Sequence, residues 1–407
     1  MIARIVPGPL RGSIAAIPSK SEAHRLLICA ALADAPTRIP LPSSSQDIDA
    51  TIRCLNAMGA DIALSDGELR VTPIADPPAR CETDCGESGS TLRFLLPVAA
   101  ALGIETDFRM HGRLPERPIS PLDRELVRGG CALTRPARDV LRISGKLQPG
   151  AYALPGDVSS QYITGMLLAL TLLEGESTLS ITGRLESASY IGITRRCMAS
   201  FGANPLPTED GYRIPGMGRY VSPGYMQIGG DWSNAAFWLC ANELPGCSVE
   251  VTGLDPDSAQ GDRQIVSALD QLRASEGECV LDAGDIPDLV PTIAACACAA
   301  GRALRVTHAE RLRIKESDRI ATVRQALTAL GGEVEETPDG LIVHRRKPTG
   351  GTVDAAGDHR IAMMAAVASA GCTQEVVIRG AEAVNKSYPG FWRDFASLGG
   401  RVELTEG

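Results

Sequence analysis

The chain has 407 residues, 44% of them apolar, 22% charged and 4% aromatic, which is the composition of an ordinary soluble globular protein. That length suggests two or three domains and excludes a single small scaffold. A net charge of −9, from 40 Lys plus Arg against 49 Asp plus Glu, excludes a general nucleic-acid or membrane-surface binder, because neither polyanion is drawn to such a mean field. The N-terminal stretch MIARIVPGPLRGSIAAIPSK has no apolar core of signal-peptide length, and no apolar run reaches the roughly 18 residues of a membrane span, so a cytoplasmic protein is expected.

Six similar blocks follow one another, opening near Pro18, Gly86, Gly156, Gly230, Ile286 and Gly357, about 56 to 74 residues apart. Each starts with a small or polar turn and runs into an apolar helical stretch: SEAHRLLICAALA, STLRFLLPVAAAL, SSQYITGMLLALTLL, WSNAAFWLCANEL, PDLVPTIAACACAA and DHRIAMMAAVASA. A short strand such as STLSITG, SVEVTG or EVVIRG comes next, then a polar loop and a second helix. That helix stops at a glycine in Met58-Gly59, Arg128-Gly129, Phe201-Gly202, Leu330-Gly331 and Leu398-Gly399, and residues such as GGEVEETPDGLIVHR then alternate as a hairpin. The fourth block departs, with Leu272-Arg273-Ala274-Ser275 at that point.

Each block therefore reads as helix, strand, helix and hairpin, and the fold class is α/β with two similar domains of three repeats. The boundary is expected in the Pro/Gly-rich stretch from Tyr220 to Gly229, giving one domain over 16–226 and a second over 1–15 plus 227–407. The first 15 residues can pair with either half; we group them with the second. The twelve cysteines are scattered, several within apolar helical patterns (Cys29, Cys240, Cys296 and Cys298), and read as reduced core residues. Cys81 and Cys85 form CxxxC and Cys296 and Cys298 form CxC, neither with a partner pair, so no metal site is expected.

Equivalent positions of a repeat face the same way, and the informative side chains share two registers. Opening the first helices are Ser19, Lys20 and Ser21 with Arg25; Glu87, Ser88, Gly89 and Ser90 with Arg93; Ser159, Ser160 and Gln161; Asp231; Asp288; and Asp358, His359 and Arg360. In the loops before the second helices stand Glu116 and Arg117, Ser187 with Tyr190, the run Lys315-Glu316-Ser317-Asp318-Arg319, and Lys386. Taken singly, Ser21 and Asp358 read as helix caps, Arg25 as a surface cation, Lys315 and Arg319 as a solvated pair, His359 as structural and Tyr190 as a half-buried ring. The shared register favours another reading. Helix N-termini already attract anions, and cations set beside them build phosphate and carboxylate sites for a polyanionic ligand.

The motifs PSKSEAHR, GESGSTLRF, ERPI, GDVSSQYI, LRIKESDRI, GDHRIAM and NKSYPGFW, in that order from about Pro18 to Phe391, resemble the 5-enolpyruvylshikimate-3-phosphate synthases. The resemblance implies two three-repeat domains forming an inside-out α/β barrel, with the active site in the interdomain cleft. It also implies the transfer of the enolpyruvyl group of phosphoenolpyruvate to the 5-hydroxyl of shikimate 3-phosphate, with release of phosphate and no cofactor or metal, on the route to chorismate and the aromatic amino acids. By position in the motifs it assigns Ser21, Arg25, Ser159, Ser160, Ser187, Asp288 and Lys315 to shikimate 3-phosphate. It assigns Gly89, Arg117, Arg319, Arg360 and Lys386 to phosphoenolpyruvate, and Lys20 and Gln161 to both. Glu316 takes the position of the group that protonates the enol methylene, Asp288 that of the base for the hydroxyl, and Lys20 balances charge near the departing phosphate. The implied partners are these two small molecules alone, acted on by a monomer without nucleic acid or membrane.

Three departures stand out. Glu87 and Ser90 replace the Asn and Thr of many relatives, and Arg311 stands where relatives often carry Asn. Gly89 keeps the small residue associated with glyphosate sensitivity. A UDP-N-acetylglucosamine enolpyruvyl transferase typically has a cysteine where Gly112 stands, and an RNA 3′-phosphate cyclase needs a nucleotidylated histidine in a glycine-rich setting that His359 lacks. A non-enzymatic repeat scaffold has no reason to set Glu316 and Asp288 among convergent cations.

Overall fold

The computed structural model describes residues 1–406. The chain divides into two compact units, one continuous over residues 18–229 and one joining residues 1–17 to the chain from Gly230 onward. Strands β1 (Ile2–Val6) and β2 (Arg11–Ala15) precede the first block: α1 (Lys20–Ala31), β3 (Thr37–Pro40), α2 (Gln46–Ala57), β4 (Asp61–Ser65) and β5 (Glu68–Thr72). The second block is β6 (Arg80–Asp84), α3 (Gly89–Leu102), β7 (Glu105–Arg109), α4 (Leu122–Arg128), β8 (Cys131–Ala137) and β9 (Val140–Gly145). The third is β10 (Ala151–Pro155), α5 (Ser160–Leu170), β11 (Ser177–Thr182), α6 (Ala188–Ser200), β12 (Leu206–Pro207) and β13 (Gly211–Ile214). The fourth contains only α7 (Trp232–Ala241), β14 (Ser248–Thr252) and α8 (Ile265–Ala274). The fifth runs through β15 (Glu278–Asp282), α9 (Val290–Ala300), β16 (Ala303–Thr307), α10 (Arg319–Ala329), β17 (Val334–Thr337) and β18 (Gly340–Val343). The sixth is β19 (Gly351–Asp354), α11 (His359–Ala368), β20 (Val376–Arg379), α12 (Phe391–Ser397) and β21 (Arg401–Thr405).

Blocks two, three and five build the same sheet, in the orders β6-β7-β9-β8, β10-β11-β13-β12 and β15-β16-β18-β17. In each, the two strands flanking the first helix pair in parallel and the hairpin pairs antiparallel. The leading parallel strand was absent from the expected helix–strand–helix–hairpin unit, because segments such as RCETD and GTVD are too short and polar to announce themselves. The remaining sheets are completed from elsewhere. In β19-β20-β1-β21 the N-terminal β1 lies between β20 and β21, antiparallel to both, in place of a hairpin strand. The fourth block has no hairpin: Ser275 leaves α8 in an extended conformation (φ −75°, ψ 115°) that leads directly into β15, and β14 pairs only with β2. The three-stranded β3-β5-β4 has no leading strand, but Tyr225, just before the unit boundary, bridges Arg38 in parallel.

Glycines just past the second helices adopt positive φ, as at Gly59 (+106°) and Gly331 (+92°), which turns the chain from helix into hairpin. The first helices are apolar nearly all round and are buried accordingly; every residue of α11 is buried, and α9 packs on both α7 and α11. Aromatic residues are scarce in the chain, yet Trp238, Tyr388, Phe391, Trp392 and Phe395 gather in the core of the discontinuous unit, with Trp238 stacked on Phe391 at 5.0 Å. All twelve cysteines are free, and all but Cys81 and Cys247 are buried. Among the described residues no helix is long and apolar enough to cross a membrane, and no group of His, Cys, Asp or Glu is arranged to hold a metal ion.

Candidate active site

The polar turns that open the helices do two jobs. Ser19, Ser88, Ser159, Asp231, Asp318 and Asp358 cap α1, α3, α5, α7, α10 and α11, each accepting a hydrogen bond from a backbone N–H of the first turn. Asp358 is thus a cap as read from the sequence, whereas the cap of α1 is Ser19 and not Ser21, which lies inside the first turn. The residues after the caps then project from the helix N-termini.

In the continuous unit, the Lys20 ammonium meets Asp47 Oδ2 at 2.8 Å. Arg25, read singly as a surface cation, is 2% exposed. It donates to Thr194 Oγ1 (2.7 Å), to the Ser21 carbonyl (2.6 Å) and to the Tyr190 carbonyl (3.2 Å), so all three of these acceptors are neutral. Tyr190 is half-buried. The second and third blocks are joined by Arg93, which donates to Gln161 Oε1 at 2.7 Å and to the Pro118 carbonyl at 2.9 Å. Since Arg93 takes the amide oxygen, Gln161 turns its NH2 group outward, and it reaches Ser90 Oγ at 2.9 Å. This contact needs α3 and α5 to approach closely, and Gly165 permits it: a Cβ there would collide with the Arg93 carbonyl. Gly89 has a similar role, because a Cβ on it would lie 2.9 Å from a terminal nitrogen of both Arg117 and Arg93. Ser187 adopts φ 54° at the start of α6, a left-handed conformation unusual for a residue with a side chain. Ser160 and Arg117 are buried beside these groups in sequence register.

The exposed Glu87 lies over Gly112, so that a side chain at 112 would run into its carboxylate. This contact gives a physical reason for glycine at 112 in a chain that carries Glu87.

In the discontinuous unit the N-termini of three helices are tied by arginines. Arg319, 1% exposed, donates to Asp288 Oδ1 at 2.8 Å, to Glu316 Oε2 at 2.7 Å and to Asp358 Oδ2 at 2.8 Å. The solvated reading of Lys315 and Arg319 fails for this reason: the arginine is buried among three carboxylates. Arg360 donates to the Asp288 carbonyl (3.0 Å) and the Ser233 hydroxyl (2.7 Å), and its terminal nitrogen stands 3.1 Å from Asp288 Oδ2. Ser317 donates to Asp358 Oδ2 at 3.0 Å. Burial alone would raise the Asp288 pKa, but Arg360, Lys315 and Arg319 outweigh it and hold the carboxyl well below the usual range. Burial, helped by Arg319 and Arg311, lowers the Lys315 ammonium to about 8 against the pull of Asp288 and Glu316. Arg311 donates to the Gly284 carbonyl at 2.8 Å, bracing the loop that carries Asp288. Lys386 is buried at the end of the 3-10 turn Ala381–Lys386, and His359 is buried at the start of α11.

Three functional-looking side chains were not singled out in sequence: Asp47, Ser233 and Asp262. The repeat register points to two of them, since Asp47 stands in the first turn of α2 and Asp262 in the turn just before α8, at the openings of the second helices in blocks one and four, the two blocks for which that register had been left blank.

Two three-repeat α/β units with cations and acids gathered at helix N-termini define a class of fold shared with solved enolpyruvyl-transfer enzymes. Two structures of EPSP synthase from Acinetobacter baumannii match with a TM-score of 0.81, covering 100% of both chains at 23% and 22% identity. The family model described as EPSP synthase (3-phosphoshikimate 1-carboxyvinyltransferase) matches residues 6–395. A 3-phosphoshikimate 1-carboxyvinyltransferase of Clostridium kluyveri is 41% identical over 98% of this chain and 97% of its own, and one of Clostridium beijerinckii is 36% identical with the same coverage. The chain belongs to the EPSP synthase family.

Proposed function

We infer that the chain transfers the enolpyruvyl group of phosphoenolpyruvate to the 5-hydroxyl of shikimate 3-phosphate and releases inorganic phosphate, the step its family performs in the shikimate pathway. Beside family membership, the observation that carries this reading is the bonding of both Asp288 and Glu316 to the one buried guanidinium of Arg319. Two acids fixed within reach of a third charged group, at joined helix N-termini, suit a reaction that both gives and takes a proton beside an anion.

In this reading Glu316 in its acid form gives a proton to the methylene carbon of phosphoenolpyruvate. The neighbouring carbon becomes electrophilic, the 5-hydroxyl oxygen bonds to it, and Asp288 takes the hydroxyl proton. The tetrahedral intermediate then loses phosphate while the new methyl group returns a proton, restoring the enol. Asp288, held by two arginines, is a weak base as it stands. Phosphoenolpyruvate bound to Arg319 and Arg360 draws their charge onto its own oxygens, which raises the basicity of Asp288 at the moment it is needed. A planar fork suits carboxylate and phosphate oxygens, and this supports Arg117, Arg319 and Arg360, with Gly89 and Lys386, as the phosphoenolpyruvate set. Ser21, Arg25, Ser159, Ser160, Ser187 and Lys315 are assigned to shikimate 3-phosphate. Lys20 and Gln161 touch both, with the outward amide of Gln161 as a donor and Lys20 beside the departing phosphate.

The same proposal takes the protein as a cytoplasmic monomer acting on two small molecules, without nucleic acid, metal or organic cofactor; its free cysteines support a reducing compartment. The test is phosphate release from purified protein, with each substrate withheld in turn and a Glu316→Gln variant alongside. Release that requires both substrates and falls by at least about a hundredfold in the variant is expected. Calorimetric failure to bind shikimate 3-phosphate would overturn the reading.

A further inference from the structure

Arg360 is aimed by its acceptors, and one of them, the Ser233 hydroxyl, has a partner behind it. Ser233 stands in the first turn of α7 and accepts from the Arg360 terminal nitrogen at 2.7 Å. A hydroxyl that accepts along one lone pair must send its own proton elsewhere, and this one is hydrogen bonded to the carboxyl of Asp262. Asp262 is 4% exposed, on the 3-10 turn Gly261–Gln264 that precedes α8. The same turn braces α7 a second time: Gln260, the residue before it, accepts from the Trp232 N–H at 3.0 Å and donates to the Gly230 carbonyl at 2.8 Å. Asp262 thus occupies in block four the register that Asp47 occupies in block one, where the acid grips Lys20.

We propose that Asp262 is a positioning residue for the Arg360 guanidinium, acting through the Ser233 hydroxyl, and that it sets how tightly the protein holds phosphoenolpyruvate. The inference rests on the assignment of Arg360 to that substrate. Burial is costly for such a carboxyl, and the facing carboxylates of Asp288 and Asp231 add to the cost while Arg360 offsets it; the balance leaves its pKa at about 7. A buried acid kept at that cost and hydrogen bonded to the Ser233 hydroxyl has a task beyond packing. With Asp262 in place, the Ser233 proton points away from Arg360 and the oxygen lone pair points toward it. Without an acceptor at 262 the hydroxyl is free to rotate, and Arg360 loses one of the acceptors that aim it.

The experiment measures steady-state constants for both substrates in the wild type, Asp262→Ala, Ser233→Ala and the double variant, each first checked for a cooperative thermal melt. Loss of one directed hydrogen bond of about 1 kcal/mol corresponds to roughly a fivefold change in affinity. The expected result is a KM for phosphoenolpyruvate raised about fivefold in either single variant, with kcat within about twofold and the KM for shikimate 3-phosphate unchanged. The double variant should be no worse than Ser233→Ala alone, because the acid acts only through the hydroxyl. Should Asp262→Ala not fold, Ser233→Ala carries the test, since it deletes one atom and leaves the acid. An unchanged KM for phosphoenolpyruvate, equal losses for both substrates, or single effects that multiply in the double variant would each overturn the proposal. A wild-type protein that shows no phosphoenolpyruvate-dependent release instead refutes the assignment of Arg360, and this inference falls with it.

Discussion

The two units aim the arginines at their helix N-termini in different ways. In the continuous unit Arg25 and Arg93 donate to hydroxyls, carbonyls and an amide oxygen, all of them neutral acceptors. In the discontinuous unit Arg319 donates to three carboxylates and Arg360 to one carboxylate, one carbonyl and one hydroxyl. A cation aimed by neutral groups is a fixed anion receptor. One aimed by acids is a partner whose attention an incoming anion must divide, and that division changes the proton affinity of the acids. The first arrangement suits the holding of a substrate and the second suits chemistry on one.

The largest test of this contrast is Arg319→Ala against Lys20→Met. Removing Arg319 takes a shared guanidinium from three carboxylates, at least one of them fully buried, and should cost the protein about 3–5 kcal/mol in denaturant unfolding along with all measurable turnover. Removing Lys20 takes the ammonium from Asp47, on a partly exposed pair, and should cost no more than about 1–2 kcal/mol, yet lower kcat/KM by about two to three orders of magnitude. Equal stability losses would erase the distinction between the units.

Gly89→Ala ranks next. The added methyl must push the ends of Arg117 and Arg93 aside by a few tenths of an ångström, so the KM for phosphoenolpyruvate should rise about tenfold while the melting temperature moves by no more than about a degree. A smaller effect is expected of pH on the acid-rich unit. Lys315 loses its proton near 8, so calorimetric affinity for shikimate 3-phosphate should fall several-fold between about pH 7 and 9, and Lys315→Arg should flatten that profile. A profile unchanged in the variant would remove Lys315 from the substrate.

How far could these residues be read in advance? The six blocks were legible because each repeats an apolar first helix with a glycine after the second, and the first helices are buried as their composition requires. The pairing of β1 with β21 was not, because strands brought together from the two ends of a chain leave no local signal. Arg25 was misread singly for a similar reason. Its acceptors Thr194 and Tyr190 sit some 165 residues or more away, and nothing near it in sequence tells of burial. Asp47 and Asp262 were hidden because a lone acid before a helix looks like any other; only the repeat register marks them out.

The smallest prediction concerns stability at Asp262. Its pKa is about 7 when folded, against about 3.9 unfolded, so the native state keeps a proton that the unfolded chain gives up. Stability due to this group therefore falls as pH rises from about 4 to 7 and stays lost above that. Asp262→Asn should raise the melting temperature by a few degrees at pH 8 and by less at pH 5. A gain that is the same at both would show that the carboxyl titrates normally.

The interleaving of β1 between β20 and β21 bears on how the protein is made. A ribosome that has delivered Gly229 has supplied every strand of the continuous unit, whose three sheets can close at once. At that moment β1 and β2 have existed the longest of all the strands and still have no partner. β2 waits for β14, and β1 waits with both edges open until β20 and β21 have followed. For most of its synthesis the chain must carry an apolar strand with two unsatisfied edges. Arg4, Arg11 and Ser13 set charged and polar side chains along these two strands, a composition that discourages edge-to-edge pairing.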